Sequence, residues 1–485
     1  MGIHIVDLSI FIAYLVFMLG VGFYYLNKNK SKEDYFVGGR SMKAGHIGLS
    51  VVATDVSGGF SIGLGGLGFA MGLSGSWMLF TGLIGAWLSA VFLIPKIYPI
   101  AKKHHFLTFP ETLSFHYNAT VALIAGIISL IGYVGFTSSQ ILAGAKLASA
   151  TFPELSIDHA AILMGVIAVV YTVIGGIKAV IYTDTIQWII LMVGLICIGI
   201  PLSYIHVGGW DAIQHYLPQN FISLGNLGFI QFFNWLITIV PIWFIGMTLY
   251  QRIYACKDVE TAKKAWRIAG LFEWPIMAFM GVLLGLFSRV AFEQGMFSDL
   301  GFAANSAFDP ELGLPILLSH ILPVGLMGLM MSAYFSAIMS TADSCLMAAS
   351  GNLITDILDK IKPNKNHHSI LKSQLITFVI GIIAIALSTV MTSVLDLMLY
   401  SYAFMVSGLF VPVLGTLICK KPNPLAAILS MIFGGSTTLI LIGKQNEQEL
   451  SVSSFSDFSQ LINYELLTRF PQDIPRIITK YLWQN

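Results

Sequence analysis

The stretch "VVATDVSGGFSIGLGG", residues 51–66, decides how the chain is read. It sits in an apolar segment, about residues 45–71, long enough to cross a bilayer, which takes about 20 such residues. Yet it carries Thr54, Asp55, Ser57 and five glycines, Gly58, Gly59, Gly63, Gly65 and Gly66. An ionisable residue at bilayer depth costs at least ~2.5 kcal/mol. Loosened backbone is tolerated there only where freed carbonyls and amides meet a ligand, water or packed protein. The stretch therefore predicts a broken helix facing the interior of a membrane protein.

The composition supports that solvent. The chain has 485 residues, 56% of them hydrophobic and 11% charged, with a mean hydropathy of +0.79. Soluble domains are about a quarter charged. A net charge of +1 suggests no nucleic acid partner. Without a polar linker or low-complexity tract, residues 1–443 read as one multi-span domain, followed by a polar tail, 444–485, with an amphipathic candidate at 461–470. Cys197, Cys256, Cys345 and Cys419 have no paired spacing and make no redox or zinc signal.

Twelve spans are predicted, at about 5–26, 45–71, 76–100, 120–148, 159–175, 179–204, 231–253, 267–291, 323–355, 370–391, 395–418 and 424–443. The first lacks the basic start and small-residue cleavage site of a signal peptide, so it counts as a helix. Basic residues cluster in alternate loops: Lys28 to Lys43, Lys102 and Lys103, Lys257 to Arg267, Lys360 to Lys365, and Lys420 with Lys421. The intervening loops, 72–75, 149–158, 205–230, 292–322 and 392–394, contain no Lys or Arg. The basic set belongs to the cytoplasm, which puts the N-terminus outside a cell membrane.

Few acids lie within the spans: Asp55, Asp184, Glu273 and Asp343. A second span, 231–253, carries Pro241 and Gly246 at its middle. Transporters use paired breaks of this kind, with unwound carbonyls on a cation and half-helix ends on the solute. The breaks fall in the second and seventh spans, which is the spacing of two inverted five-helix repeats, about 45–204 and 231–418, with the first span outside them. In "SAYFSAIMSTADSCLMAAS", residues 332–350, Ser336, Ser340, Asp343, Ser344 and Met347 share one helix face, with Ala337 and Thr341 beside it. Hydroxyls, carbonyls and carboxylates gathered this way suit a hard cation such as sodium, which takes about five or six oxygens.

Five stretches carry a family likeness: "DYFVGGRSM" (34–42), "ATDVSG" (53–58), "YTVIGGIKAVIYTDTIQ" (171–187), "LYQRIYACKD" (249–258) and "SAIMSTADS" (336–344). In this order and spacing the chain resembles the sodium/solute symporter family, which includes sodium/proline, sodium/glucose, sodium/sialic acid and high-affinity choline transporters. The likeness covers about residues 5–440. It implies an all-α integral membrane protein with an inverted five-plus-five helix repeat (LeuT-type), one extra N-terminal helix and one or more C-terminal helices. It implies Na+ as the coupling ion, held at a first site by carbonyls of Ala53, Val56 and Ala337 and hydroxyls of Ser340 and Thr341. A second candidate sodium site maps to Asp184, Ser340, Asp343 and Ser344, and Asp55 matches the acid linked to sodium use in the proline branch.

Each residue also has a plainer reading. Membrane glycines often serve close packing. Asp184 also reads as a capping or interfacial residue near the start of a span, Asp343 as a partner of Lys178 or a protonated acid, and Asp55 as a structural hydrogen-bond acceptor. Ser340 and Thr341 can bond back to the carbonyl four residues earlier. Glu273, before Pro275 in "LFEWPIMAF", reads as a buried acid bonded to a neighbouring helix, or as a contact for a cationic solute or a proton.

The solute pocket is expected between the two breaks, drawing on Ser57, Gly58, Phe60, Trp77, Phe136, Gln140, Trp243, Met247 and Tyr250. "IGYVGFTSSQILAGAK" (131–146) has no arginine near its centre to grip an acidic sugar. Aromatic walls suit an amine through cation–π attraction. Small amino acids, betaine-like amines and choline come first, with small carboxylates also open. The predicted function is sodium-coupled symport of a small organic solute into the cytoplasm by alternating access. The partners are that solute, sodium and the bilayer, and nothing requires more than a monomer. Alternatives are a sodium-independent uniporter or a proton-coupled carrier on the same fold, and more distantly a transporter-like sensor. No HExxH motif points to an enzyme, and His104, His105, His367 and His368 only flank spans.

Overall fold

A computed structural model describes residues 4–26, 32–55, 57–152, 155–302, 308–361 and 370–449. The expected amphipathic helix at 461–470 lies outside the described residues. Among the described residues the chain is helical and contains no strand, only one isolated bridge between Met42 and Cys256.

We label the principal helices α1 (Ile5–Leu26), α2 (Ala44–Asp55), α3 (Gly58–Met71), α4 (Trp77–Leu88), α5 (Ala119–Thr151), α6 (Ile157–Gly194) and α7 (Phe229–Ile245). They continue as α8 (Met247–Ala255), α9 (Val259–Leu271), α10 (Ala278–Glu293), α11 (Leu326–Gly351), α12 (Ile370–Ser388), α13 (Val394–Ile418) and α14 (Pro424–Glu449). Side-chain caps start many of them. Asn118 accepts from Val121 N, Ser156 from His159 N, Asp258 from Thr261 N and Ser393 from Asp396 N, each satisfying an amide that has no partner in the first helical turn.

Among the described residues, seven helical stretches are long and apolar enough to cross a membrane, and eight if the bent pair α7–α8 counts as one span. The count covers the described residues alone, where α1 and the start of α6 enter only as Ile5–Met18 and Ile157–Val173; in addition α2–α3 is interrupted and α11 is rich in hydroxyls. The last helix runs on to Glu449, into the stretch read as tail.

The expected division of residues 159–204 into two spans is visible within α6. Tyr171 Oη and Thr183 Oγ1 lie 3.0 Å apart. Twelve residues of straight helix would separate them by about 18 Å, so the chain doubles back between them.

Both expected breaks are present. α2 ends at Asp55 and α3 begins at Gly58, with Ser57 at φ 20°. α7 and α8 meet at Gly246 (φ −64°, ψ 115°) with a 42° bend. A third irregularity lies between α9 and α10, where a π-type turn, Phe272–Met277, contains the extended Trp274 (φ −136°, ψ 127°).

α11 is buried along nearly its whole length and forms the centre of the bundle against α5 and α6. α1 docks on its N-terminal end: Asp7 Oδ1 accepts from Gly325 N (2.8 Å) and Gly328 N (2.7 Å). α3 lies on α10 backbone to backbone, since a Cβ on Gly285 would stand 2.0 Å from the Gly65 carbonyl oxygen. At that glycine the close-packing reading holds. Phe17, Phe92, Leu163, Val193, Ile383 and Phe433 are exposed on the outside, as a lipid-facing surface requires.

Candidate functional site

The last carbonyls of α2 have no amide one turn ahead, because the helix stops at Asp55. α11 meets them there. Thr341 Oγ1 donates to Ala53 O (3.1 Å) and Thr54 O (3.0 Å). Beside this contact a small cavity is lined by Val52, Ala53, Ser57, Gln187, Trp188, Leu191, Met277, Ala337 and Ser340. Ala53, Ala337, Ser340 and Thr341 of the predicted first sodium site are thus brought together, while Val56 lies outside the described residues. Ser340 Oγ lies beside the Asp184 carboxyl but completes no hydrogen bond among the described residues. Carbonyls, hydroxyls and an open oxygen of this kind are what a hard monovalent cation can use.

Two residues of the second candidate site, Asp184 and Ser344, are already engaged by a cation of the protein itself. Arg252 on α8, with none of its surface exposed, donates from Nη2 to Asp184 Oδ2 (3.0 Å) and Ser344 Oγ (2.8 Å). It also donates from Nε to Ser50 Oγ (2.9 Å), from Nη2 to Thr54 Oγ1, and from Nη1 to Thr248 O (3.2 Å). Asp343 stands apart from the guanidinium: its Oδ1 accepts from Thr172 Oγ1, and its Oδ2 has no partner among the described residues. The side chain of Lys178, the alternative partner for Asp343, lies outside the described residues. Sequence reasoning passed over Arg252. Its signal was a lone arginine just past the glycine break, on the same helix face as Thr248.

Asp55 closes α2, and its carboxyl faces that of Glu273 and the hydroxyl of Tyr402. Glu273 occupies a niche that only a glycine leaves open, because a Cβ on Gly82 would stand 1.9 Å from Oε2. Neither Glu273 oxygen completes a hydrogen bond among the described residues. The irregular turn before α10 delivers this acid inward, where it faces the Asp55 carboxyl at the end of α2.

The expected solute residues divide. Ser57 lines the cavity, Gly58 opens α3, and the side chain of Phe60 lies outside the described residues. Phe136 stacks on Tyr402 (5.0 Å, 19°) and so lies near Asp55. Gln140 is buried, with Nε2 on Ser139 Oγ (3.2 Å). Trp77 donates to Leu224 O (2.9 Å) and stacks on Trp274 (6.0 Å). Trp243 is packed against Gly85 and Trp266. Met247 accepts from Phe109 N, and Tyr250 packs edge-on to Phe109 while donating to Phe244 O. These last three serve helix packing. Sequence reasoning missed Tyr402 and Gly82, which carry no motif.

Charged contacts lie beyond both ends of the site. At one end, buried Lys146 pairs with Asp309 (2.6 Å) and Glu311 (2.7 Å), and Glu311 accepts from Val394 N and Leu395 N at the start of α13. At the other, Thr108 Oγ1 donates to Asp356 Oδ1 (2.7 Å), and Glu111 caps the backbone at Leu107 and Thr108. Burial pushes the Glu111 carboxyl up, and burial together with the nearby Glu111 charge pushes Asp356 well up.

Comparison with known proteins agrees with this arrangement. The model of the sodium:solute symporter family matches residues 35–434. The osmoregulated proline transporter OpuE of Bacillus subtilis is 30% identical over 445 residues, covering 88% of this chain and 87% of the relative. The sodium/proline symporter of Salmonella typhimurium is 26% identical over 91% of this chain and 88% of its own. The sodium/glucose cotransporter of Vibrio parahaemolyticus is 28% identical over 76% and 72%. A solved Na+-coupled sialic acid symporter, substrate-bound and outward-open, shares the fold with a TM-score of 0.71 at 19% identity, over 90% of this chain and 98% of that one. The chain is therefore a multi-pass transporter and not an enzyme: it belongs to the sodium:solute symporter family and performs sodium-coupled symport of a small organic solute.

Proposed function

We propose that the solute is a small zwitterionic amino acid of the proline type, carried inward across a cell membrane with the N-terminus outside. The contact of Thr341 with the free carbonyls of α2 carries the coupling half of this reading. A sodium ion held by Ala53, Val56, Ala337, Ser340 and Thr341 would tie the first repeat, about 45–204, to the second, about 231–418. That tie favours the form able to accept solute, and solute then drives closure. Each sodium ion moving inward gains about 2.3 kcal/mol per 100 mV of membrane potential, enough for uphill uptake. Proline transporters and symporters among the relatives support the substrate class. So does the Asp55–Glu273 pair, which offers negative charge to a cationic nitrogen. The same pair favours a second reading, in which a proton replaces sodium as the coupling ion.

Uptake of labelled proline into proteoliposomes tests both. Accumulation is expected only with an inward sodium gradient, and Thr341→Ala should raise the sodium requirement at least about tenfold, as loss of a metal-site group does. Uptake that persists in potassium buffer and follows an imposed proton gradient would instead establish the proton-coupled carrier. Sodium-driven flux of other amines but not proline would move the substrate class alone.

A further inference from the structure

We propose that Gln187 contributes an additional side-chain oxygen to the cation cavity, and that Tyr14, on the helix outside the two repeats, is the residue that turns it there. This rests on the reading of that cavity as the sodium site.

Gln187 lies on α6, is 1% exposed, and lines the same cavity as Ala53, Ala337 and Ser340. The nitrogen end of its amide is spent on α1: Nε2 donates to Tyr14 Oη (3.2 Å) and to Met18 Sδ (3.7 Å). The oxygen end has no partner among the described residues. Turning the amide over would set the oxygen against the Met18 sulfur, which offers no proton, so the observed orientation is the one the contacts favour. A buried amide oxygen without a donor is costly, and here it shares a cavity with a second open oxygen, Ser340 Oγ. Two open oxygens beside the end carbonyls of a broken helix are a set that a positive charge would satisfy together. An amide carbonyl is an ordinary ligand for a hard cation. Tyr14 itself sits between two elements, since its hydroxyl also lies beside that of Ser336, one turn before Ser340 on α11. Asp7 fixes α1 to the start of the same helix. The first helix thereby acquires a task that the repeats leave unassigned: it sets the angle of a ligand on α6 relative to the hydroxyls of α11.

The test is direct binding of radioactive sodium to the purified full chain, with sodium-dependent uptake measured in parallel. Gln187→Leu should weaken sodium binding about tenfold or more, as the loss of one metal-site group does, and leave solute affinity at saturating sodium unchanged. Gln187→Glu keeps the oxygen and should bind sodium at least as tightly as the natural chain, which guards against mistaking misfolding for loss of a ligand. Tyr14→Phe should weaken binding a few-fold, but should add nothing in the Gln187→Leu background, because a residue acting only through another has no effect once that other is gone. Thr341→Ala separates the two layers of argument. If Thr341→Ala weakens sodium binding and Gln187→Leu does not, the amide oxygen is served by water and the proposal is overturned, while the sodium site stands. If neither variant changes binding, the cavity is not the sodium site. Additive losses for Tyr14→Phe and Gln187→Leu would overturn the positioning role.

Discussion

Replacing Arg252 with methionine offers the sharpest test of how the inner half of the site is held. The guanidinium and the Asp184 carboxylate are both fully buried, 3.0 Å apart. At that distance an effective dielectric of about 20 gives roughly 5 kcal/mol of attraction, close to the cost of about 3–5 kcal/mol seen when one partner of a buried pair is removed. The hydroxyls of Ser50, Thr54 and Ser344 lose their donor as well, but each can turn its proton to a neighbour, so the ion pair dominates. Arg252→Met should therefore destabilise the protein by about 3–5 kcal/mol in sodium-free buffer. Graded unfolding of the purified protein in mixed micelles measures this. Asp184→Asn on top of Arg252→Met should recover most of the loss, because the stranded charge is then gone. Sodium should also restore the single variant, since Asp184, Ser340 and Ser344 then offer their oxygens to an ion, and an ion at a hundredfold its Kd stabilises by about 2.7 kcal/mol. If Arg252→Met costs under about 1 kcal/mol, the value of an exposed pair, or if the double variant is no better than the single, Arg252 is not what neutralises Asp184.

Two further outcomes follow from the other acids. Glu273→Gln keeps the shape that fits beside Gly82 and removes one of two facing carboxyls. It should raise stability without solute by about 1–3 kcal/mol, the penalty range for an unsatisfied buried group, and raise the KM for a cationic or zwitterionic solute about tenfold; an unchanged KM would remove Glu273 from the solute site. Asp356→Asn tests the end of the bundle where Thr108 and Glu111 lie. Burial raises the folded-state pKa of Asp356 above its unfolded value of about 4, so its stabilising contribution is present below that value and is lost as pH rises through the folded pKa. The melting temperature of the natural chain should therefore fall from mildly acidic to mildly alkaline buffer, and the fall should shrink in the variant, which still accepts from Thr108; parallel profiles would refute this.

The fold was legible where composition and breakers act locally. Asp55 and the glycines after it predicted one interruption, and Pro241 with Gly246 the other, because lipid tolerates neither loose backbone nor charge without a reason. The meeting of Thr341 with Ala53 was legible only through family likeness, since helix periodicity places hydroxyls on a face but does not say which helix they face. Arg252, Glu273 and Gln187 show what a single sequence hides. Each is a polar residue whose meaning depends on a partner far along the chain: Asp184 is 68 residues from Arg252, and Tyr14 is 173 from Gln187. Glu273 needed the further knowledge that the backbone turns at Trp274 and that Gly82 leaves room. Trp243, Met247 and Tyr250 were drawn toward the pocket because they flank a break, but a helix bent by 42° sends the residues around its hinge to opposite sides.

Thr54 links the two cation loci. Its carbonyl accepts from Thr341, and its hydroxyl accepts from Arg252, so one residue at the end of α2 is held by α11 and by α8 at once. The two holds respond differently to movement. An ion among the α2 carbonyls and the α11 hydroxyls would strengthen the first without touching α8. Moving α8 away would require the guanidinium to leave Asp184, Ser50, Thr54 and Ser344 together, and Asp184 would then be stranded unless another cation took its place. Movement of α8 is thus opposed by the ion pair and would be eased by any cation able to replace Arg252 on Asp184. On the proposed reading, an ion that passes from the cavity at Ser340 to the neighbouring Asp184 carboxyl would release α8 as it leaves, which would tie departure of the ion to movement of that helix without any contact between sodium and solute.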